Sequence, residues 1–283
     1  MPYLLLRLSL LISYFCLTAL PLAASDTNSP LARTPGTDIT EQKAQKTLTI
    51  HVTSICPFQC LPSEYEGNRG LFYDISALVF KASGYQLQPV YAPFSRAIIL
   101  AQQGKLDIIT TFYKDEIGGL LYPGEHIRYA REVFFVRSDD PWHYQGISSL
   151  RELQAGGDRI LVSQDYDYGD SVFNQMIRDN PDLFLVLGGG NPFERAIQLL
   201  LKKRVRVAVF DQSVMAYTLA RLQLTAKVRA AGAIHRGKKL YIGISAKKPQ
   251  AGKIVAIFDA GLKQFKASER YRQLLEKYQL EEF

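Results

Sequence analysis

The chain has 283 residues, a formal net charge of +7 at pH 7, 47% hydrophobic residues and 22% charged residues. This balance excludes an intrinsically disordered chain, and the length suits two lobes better than one compact core. The basic residues are dispersed along the sequence, so the charge indicates only a mild attraction to anionic surfaces or ligands. We expect no nucleic-acid partner.

The first 24 residues have the layout of a secretory signal peptide. Arg7 precedes an apolar run, LSLLISYFCLTALPL, and the small residues Ala23 and Ala24 follow it. The run is interrupted by polar residues and by Pro21, whereas a membrane-spanning helix needs about 20 mainly apolar residues. We therefore predict cleavage near Ala24 and a periplasmic protein.

The next stretch, residues 25–46, is polar and rich in Thr and Pro, so we predict a flexible N-terminal arm. From Thr47 onwards, short apolar strands alternate with helical patterns. The sequence reads LTIHV, LFYDISALVFKAS, QLQPVYA, FSRAIILAQQGK and LDIITT. This alternation predicts βαβ units and a mainly parallel sheet.

The segment CPFQC follows the first predicted strand and contains two cysteines. Removal of the signal peptide would leave Cys56 and Cys60 as the only cysteines, in a compartment that oxidises thiols. A disulfide is the leading interpretation. A metal site with His51, a redox-active pair and free thiols are the alternatives.

The second half of the chain repeats the alternation. The strands RILVSQ, FLVLGG and RVAVFD separate helical segments, and two amphipathic helices end the chain. Ser149 and Glu152 have the spacing of a capping box. We also predict Asp170 and Asn191 as N-caps, the latter followed by a proline in the first helical turn. Two α/β lobes are expected.

The order of these motifs resembles that of the family 3 extracellular solute-binding proteins, which serve ABC transporters for polar amino acids. The resemblance extends over nearly the whole chain after the predicted cleavage site. The segment GLFYDISALVF matches a family helix start at Gly70, Leu71 and Asp74, with Phe72 at the position of an acidic residue.

The resemblance implies a two-lobed α/β fold of the type II periplasmic binding proteins. Each lobe is a mainly parallel sheet flanked by helices. Residues 47–136 and 240–283 are expected to form lobe 1, and residues 137–239 lobe 2. The segments FFVR and YIGIS are the expected hinge strands, and a ligand is held in the cleft between the lobes.

The resemblance also implies a set of ligand-binding residues. Asp211 matches the acid that binds an α-ammonium group, and Phe94 matches an aromatic residue that stacks on the ligand. The family's carboxylate-binding arginine is missing from TTFYKDEIGG. We therefore predict a small polar, amine-bearing ligand, such as an amino-acid derivative, a polyamine or a short peptide. The full predicted set is Asp211, Phe94, Arg96, Tyr113, Lys114, Tyr168, Gly169, Asp170 and Phe58.

The expected function is capture of this ligand and its delivery to an ABC transporter by a monomer that has no cofactor and no metal. One alternative is presentation of the ligand to a membrane sensor. Another is an enzyme that resembles the periplasmic cyclohexadienyl dehydratases, with a cleft carboxylate as general acid. The candidate acids are Asp115, Glu116 and Asp211.

Overall fold

The structure is a computed structural model that describes residues 46–114, 116–164 and 166–282. The predicted signal peptide, residues 1–24, lies outside the described residues. The predicted arm also lies outside them except for Lys46, which is the first residue of the first strand. In the described ranges, no helix combines the length and the apolar character needed to cross a membrane.

The first sheet contains strands from both ends of the described chain. Its order is β2-β1-β3-β11-β4, and β5 also pairs with β11. Strand β1 is parallel to β2 and β3, whereas β11 runs antiparallel to its neighbours. The strands are β1 (Lys46–Val52), β2 (Tyr85–Tyr91), β3 (Ile108–Tyr113), β4 (Leu120–Leu121), β5 (Arg128–Ala130) and β11 (Lys238–Ser245).

The second sheet is built from one continuous stretch of chain. Its order is β10-β6-β9-β7-β8, with β7 parallel to β8 and β9, and with β6 antiparallel to β9 and β10. We call the part of the chain that contains the first sheet lobe 1 and the part that contains the second sheet lobe 2, so β6 belongs to lobe 2. Each lobe has a parallel core of three strands. The strands are β6 (Glu132–Arg137), β7 (Ile160–Ser163), β8 (Phe184–Leu187), β9 (Val207–Asp211) and β10 (Val228–Ala233).

Eight α-helices of the described residues flank the two sheets. They are α1 (Leu71–Ala82), α2 (Phe94–Gln102), α3 (Ile147–Ala155), α4 (Ser171–Asp179), α5 (Pro192–Leu201), α6 (Gln212–Arg221), α7 (Ala251–Lys266) and α8 (Glu269–Lys277). The prediction of a two-lobed α/β fold is confirmed.

The helix caps agree with the sequence in two of three cases. Asp170 caps α4 by accepting a hydrogen bond from the Phe173 N–H group, and Asn191 caps α5. The predicted capping box at Ser149 is wrong, because α3 begins directly after Gly146. Ser149 therefore lies inside the first turn, where its hydroxyl donates to the Gly146 carbonyl at 2.7 Å.

The chain crosses between the two sheets twice, at Arg131 and at residues 234–237. The Gln212 N–H group donates to the Arg131 carbonyl, and the Ile234 N–H group donates to the Glu132 carbonyl, both at 2.9 Å. The predicted hinge FFVR lies within β6, in the second sheet, and YIGIS lies within β11, in the first sheet. Each crossing therefore comes a few residues before the predicted hinge strand in the chain.

The CPFQC segment forms a closed loop against α1. Cys56 and Cys60 form a disulfide, as predicted. The N–H groups of Leu71 and Phe72 donate to the carbonyls of Pro57 and Phe58, at 2.9 and 3.0 Å. The loop therefore accepts hydrogen bonds from the first turn of α1, whose N–H groups have no partner within the helix.

Gly70 is the residue that allows this close contact. Its φ is +94°, and a Cβ atom added to it would lie 2.5 Å from both the Gln59 Cα atom and the Phe58 carbonyl oxygen. Its N–H group donates to the Tyr278 hydroxyl at 3.0 Å, and that hydroxyl donates to the Asp74 carboxylate at 2.8 Å. The end of the described chain is thereby fastened to the start of α1.

We expect Gly70→Ala to destabilise the fold much more than Gly67→Ala. Both glycines have positive φ, but a Cβ atom at Gly67 would meet nothing within 4 Å. The control substitution should cost about 1–2 kcal/mol through the backbone alone. Gly70→Ala should cost a further 1–3 kcal/mol or so through overpacking, as measured by urea unfolding. Equal losses in the two variants would contradict the packing argument.

Candidate functional site

A cavity of about 700 Å³ lies between the two lobes. We call it the cleft. Its walls are the segments that follow the carboxyl ends of five parallel strands, three in lobe 1 and two in lobe 2. This is where ligands bind in open α/β sheets. The described lining residues at these strand ends are 52–55, 91–95, 111–113 and 116 for β1, β2 and β3, and 163, 164, 166, 167 and 187–193 for β7 and β8.

The lobe 1 wall contains several aromatic side chains. Phe58, Phe94 and Tyr113 line the cleft. The Phe94 ring lies 6.0 Å from the His51 ring, and the Phe58 ring lies 5.8 Å from the Phe72 ring. The His51 imidazole is buried and its Nε2 atom is hydrogen-bonded to the Ala92 carbonyl. This histidine supports the wall and is not part of a metal site with the disulfide cysteines.

Thr111 has an unusual backbone conformation in this wall. Its φ is +68°, although β-branched residues rarely adopt positive φ. The register between β3 and β11 shifts at this point, where Phe112 pairs with Tyr241 and Thr110 pairs with Ile242, so Thr111 is bulged out of the ladder. Such strain is typical of functional sites. The bulge places Thr111 on the cleft lining.

The lobe 2 wall is formed by the turn after β7 and by the glycine segment before α5. Tyr166 and Asp167 line the cleft in the turn. The Asp167 Oδ1 atom accepts hydrogen bonds from the Gly169 N–H group and from the Asn174 side chain, both at 2.7 Å. These two bonds hold the carboxylate in place, and its Oδ2 atom makes no hydrogen bond to the described residues.

The charges on the cleft lining all have one sign. Three carboxylates line it, those of Glu64, Glu116 and Asp167, whereas no Lys or Arg is among the described lining residues. Glu116 comes from lobe 1 and Asp167 from lobe 2. Both carboxylates are accessible from the cleft, where they would attract a cation. The cleft is therefore suited to a positively charged group.

Glu116 has a perturbed pKa. Its side chain is accessible from the cleft, and partial burial between the cleft walls raises its pKa to about 7. The Tyr113 N–H group donates to its Oε2 atom at 2.9 Å and lowers the pKa, whereas the nearby Asp167 carboxylate raises it. Glu116 therefore changes its charge near neutral pH.

Glu132 is a fully buried carboxyl group between the two lobes. Its Oε1 atom accepts hydrogen bonds from the Tyr166 hydroxyl at 2.9 Å and from the Tyr113 hydroxyl at 3.3 Å. Both tyrosines line the cleft. Burial raises the pKa of Glu132 well above its usual range, and the neighbouring Asp211 carboxylate raises it further.

The structure brings some of the predicted site residues to the cleft and not others. Phe58, Phe94 and Tyr113 lie on its lining. Among the described lining residues there is no Arg96, Lys114, Tyr168, Gly169 or Asp170.

These five residues have other surroundings. Arg96 and Lys114 are exposed, and the Lys114 ammonium lies over the Tyr241 ring at 6.0 Å. Tyr168 is fully buried, and its hydroxyl accepts from the Ser163 N–H group. Gly169 is buried in the turn behind the lobe 2 wall, and Asp170 caps α4.

Asp211, the acid that the resemblance assigns to the ligand's ammonium group, lies beneath the cleft wall. Its Oδ1 atom accepts from the N–H groups of Ser213 and Val214, at 2.9 and 3.0 Å, and its Oδ2 atom accepts from the Arg131 N–H group at 3.1 Å. The side chain is buried and is not among the described lining residues. Burial raises the pKa of Asp211 to about 6, and the three N–H groups oppose the rise.

Sequence reasoning did not select the residues that give the cleft its charge. From the sequence, Glu116 is only a candidate general acid, and Asp167 is not in the predicted set. Their positions directly after β3 and β7 are the signal that identifies them. No local pattern marks Glu132. Two other acids of these segments, Asp115 and Asp165, lie outside the described residues.

The model of the bacterial extracellular solute-binding proteins, family 3, matches residues 49–281 of the chain. A comparison with curated protein sequences finds no match. Among solved structures, a mutant of the arginine-binding protein of T. maritima is similar with a TM-score of 0.65 and 17% identity, over 83% of this chain and 96% of that chain.

Two further solved structures are similar. A histidine kinase sensor domain with similarity to periplasmic binding proteins has a TM-score of 0.65 and 14% identity, over 84% of this chain and 98% of that chain. An ancestral amino acid-binding protein, described as a precursor of cyclohexadienyl dehydratase, has a TM-score of 0.63 and 20% identity, over 82% and 95%. At these identities the likenesses establish the fold.

Asp211 is expected to contribute to folding as the cap of α6. Asp211→Ala should destabilise the protein by at least about 2 kcal/mol, because it removes an N-cap and leaves a buried N–H group without its partner. Asp211→Asn keeps an acceptor oxygen and should cost less. Urea unfolding of the two variants checks this, and an unchanged midpoint for Asp211→Ala would contradict it.

Glu116 is expected to make stability depend on pH. Its folded pKa of about 7 exceeds the ordinary value of 4.5, so the folded protein binds more protons than the unfolded chain between these values. The stability of the wild type relative to Glu116→Gln should therefore fall as pH rises from about 4.5 to about 7 and stay level above that. Urea unfolding at several pH values measures this difference. A difference that does not vary with pH would refute the assignment.

Proposed function

Because the chain belongs to the bacterial extracellular solute-binding proteins of family 3, we propose that it captures a small, amine-bearing solute in the cleft and delivers it to an ABC transporter. The family implies a small-molecule ligand and a membrane transporter or sensor as partner. The predicted signal peptide supports a periplasmic site of action.

The observation that carries this proposal is the charge of the cleft. Glu116 and Asp167 approach from opposite lobes, and no cationic side chain is present among the described lining residues. An ammonium or guanidinium group between them would make charge-assisted hydrogen bonds to both lobes. The positive charge of the ligand would then favour closure of the two lobes, because each carboxylate would attract the cation and their mutual repulsion would be offset.

The same lining argues against a free α-carboxylate on the ligand. A carboxylate needs a cation or a group of hydrogen-bond donors in a site with little water. The described lining has no Lys or Arg, and the hydroxyls of Tyr113 and Tyr166 already donate to Glu132. Its other donor side chains are neutral hydroxyls and amides, among them Thr53, Ser54, Ser95, Thr111, Ser163, Gln164 and Asn191. We therefore favour amines, diamines and polyamines over α-amino acids. The volume of about 700 Å³ is in the range of pockets for small organic ligands.

The carbon chain of such a ligand would lie against the aromatic side chains. Phe94, Tyr113 and Tyr166 present ring surfaces to the cleft. Aromatic faces attract cations as well as apolar groups. The rings would therefore bind both the carbon chain of the ligand and its charged amine. The proposed contact set is Glu116, Asp167, Phe94, Tyr113 and Tyr166.

Two other functions are each favoured by one observation. The likeness to a histidine kinase sensor domain favours delivery of the bound state to a membrane sensor. The Glu116 pKa of about 7 would suit a general acid in a dehydratase. Co-purification with a kinase in place of a permease supports the first, and turnover of prephenate or arogenate supports the second.

The test is a thermal-shift screen of the exported protein with matched pairs of compounds. Arginine is compared with agmatine, and ornithine with putrescine, because the members of each pair differ by one carboxylate. A ligand at about 100 times its Kd adds roughly 2.7 kcal/mol of stability and raises the midpoint by several degrees. We expect shifts for the decarboxylated members. Shifts confined to the amino acids would contradict the proposed ligand class.

Variants then locate the charge that binds the ligand. Asp167→Asn and Glu116→Gln should each weaken binding of the amine at least tenfold, since charge-assisted hydrogen bonds contribute about 1.5–3 kcal/mol. The exposed residues Asp182 and Glu152 provide matched controls, Asp182→Asn and Glu152→Gln. Isothermal titration measures the affinities. A tenfold loss in Asp211→Asn alone would instead support the assignment made from the family resemblance.

A further inference from the structure

Glu132 lies at the point where both chain crossings meet. It is the first residue of β6 and directly follows the crossing at Arg131. Its carbonyl accepts a hydrogen bond from the Ile234 N–H group, which belongs to the second crossing. In the ladder between β6 and β9, Glu132 pairs with Asp211. The Glu132 backbone is therefore held in place from both crossings.

The side chain of Glu132 joins one tyrosine from each lobe. Tyr113 is the last residue of β3 in lobe 1, and Tyr166 lies in the turn after β7 in lobe 2. Both hydroxyls donate to the same oxygen atom, Glu132 Oε1. The exposed fraction of Glu132 is 0%, and its Oε2 atom has no partner among the described residues.

A neutral carboxyl group fits this position better than a carboxylate. At this fully buried position an ionised group would carry a much larger desolvation cost than a neutral one, and Asp211 and Asp167 would repel it. The neutral acid still accepts both tyrosine hydrogen bonds through Oε1. Burial raises the pKa of Glu132 well above its usual range, in agreement with the geometry.

The turn of lobe 2 leaves space for Tyr113 to reach Glu132. Gly169 has a φ of +68°, and a Cβ atom added to it would lie 3.0 Å from Tyr113 Cζ and 2.9 Å from the Nε2 atom of His235. Lobe 2 therefore packs closely around the ring of a lobe 1 residue. This contact is a second observation that the lobes are joined through Tyr113.

We propose that Glu132 is a positioning residue that joins the two walls of the cleft and determines the hydrogen-bonding polarity of its tyrosines. Tyr113 and Tyr166 each use their single hydroxyl proton in the hydrogen bond to Glu132. Their oxygen atoms can therefore only accept hydrogen bonds from a ligand. The cleft then favours ligands that donate, such as ammonium groups, and disfavours carboxylates. The joining of the walls is independent of the proposed function, whereas the polarity for ligands rests on it.

The first test uses the ligand-free protein. Glu132→Gln keeps an acceptor oxygen of the same reach, and Glu132→Leu removes it at similar size. Small-angle X-ray scattering should give the same radius of gyration for the wild type and Glu132→Gln, and a larger one for Glu132→Leu. A radius that is equal in all three proteins would overturn the joining role. Because no ligand is used, this outcome does not depend on the proposed function.

The second test measures ligand preference with putrescine and ornithine as probes. Glu132→Leu should weaken binding of putrescine about two- to tenfold, the range of one ordinary hydrogen bond. It should also reduce the preference for putrescine over ornithine, because the freed hydroxyls can donate to a carboxylate. Glu132→Gln should restore both values. An unchanged preference in Glu132→Leu would overturn the polarity role, whereas binding of neither probe by the wild type would count against the proposed function.

Tyrosine variants keep the proposal testable if Glu132→Leu does not fold. Tyr166→Phe and Tyr113→Phe remove one hydroxyl each and leave the rings in place. We expect Tyr113→Phe to increase the radius of gyration, because it breaks the hydrogen bond between the lobes. Tyr166→Phe should leave the radius unchanged, since Tyr166 and Glu132 both belong to the second sheet's lobe. The same radius for Tyr113→Phe and the wild type would contradict the joining role.

Discussion

The arrangement of the whole molecule depends on the two crossings of the chain between its sheets. Hydrogen bonds to Arg131 and Glu132 tie these crossings to lobe 2, and the two sheets can change their relation only around them. The parallel strands of both sheets end at the same gap, and the carboxyl ends of five of the six line one cavity. A ring contact between Tyr65 of lobe 1 and Tyr217 of lobe 2, with centroids 6.3 Å apart, also joins the lobes.

The buried acids beside the crossings and the acids of the cleft have different tasks. Asp211 and Glu132 are saturated or shielded by protein groups, and they organise α6 and the two tyrosines. Glu116 and Asp167 are accessible from the cavity and keep an oxygen atom that the described residues do not use. In such a site the accessible carboxylates attract a cation, while the buried acids hold the surrounding elements in position.

The fold and part of the site could be predicted from the sequence because they depend on local patterns. Phe58 and Phe94 follow strand ends, and that position alone brings them to the cleft. Arg96 and Lys114 also lie near strand ends, yet their side chains are exposed and are not on the lining. The reason is that the local helix or strand geometry determines where a side chain points. The role of Glu132 could not be predicted, because it exists only when β3, β6 and the turn after β7 meet.

The topology also constrains the order in which the chain can fold. Lobe 2 is continuous from β6 to β10, whereas the first sheet needs β11, which lies between β3 and β4 in space but follows lobe 2 in the chain. Until β11 has been synthesised and has paired with β3, β3 has an unpaired apolar edge. Such an edge can pair with strands of other chains. Tyr278 fastens α1 later still. During synthesis, lobe 1 is therefore exposed to aggregation for longer than lobe 2, because its sheet is completed only by the C-terminal part of the chain.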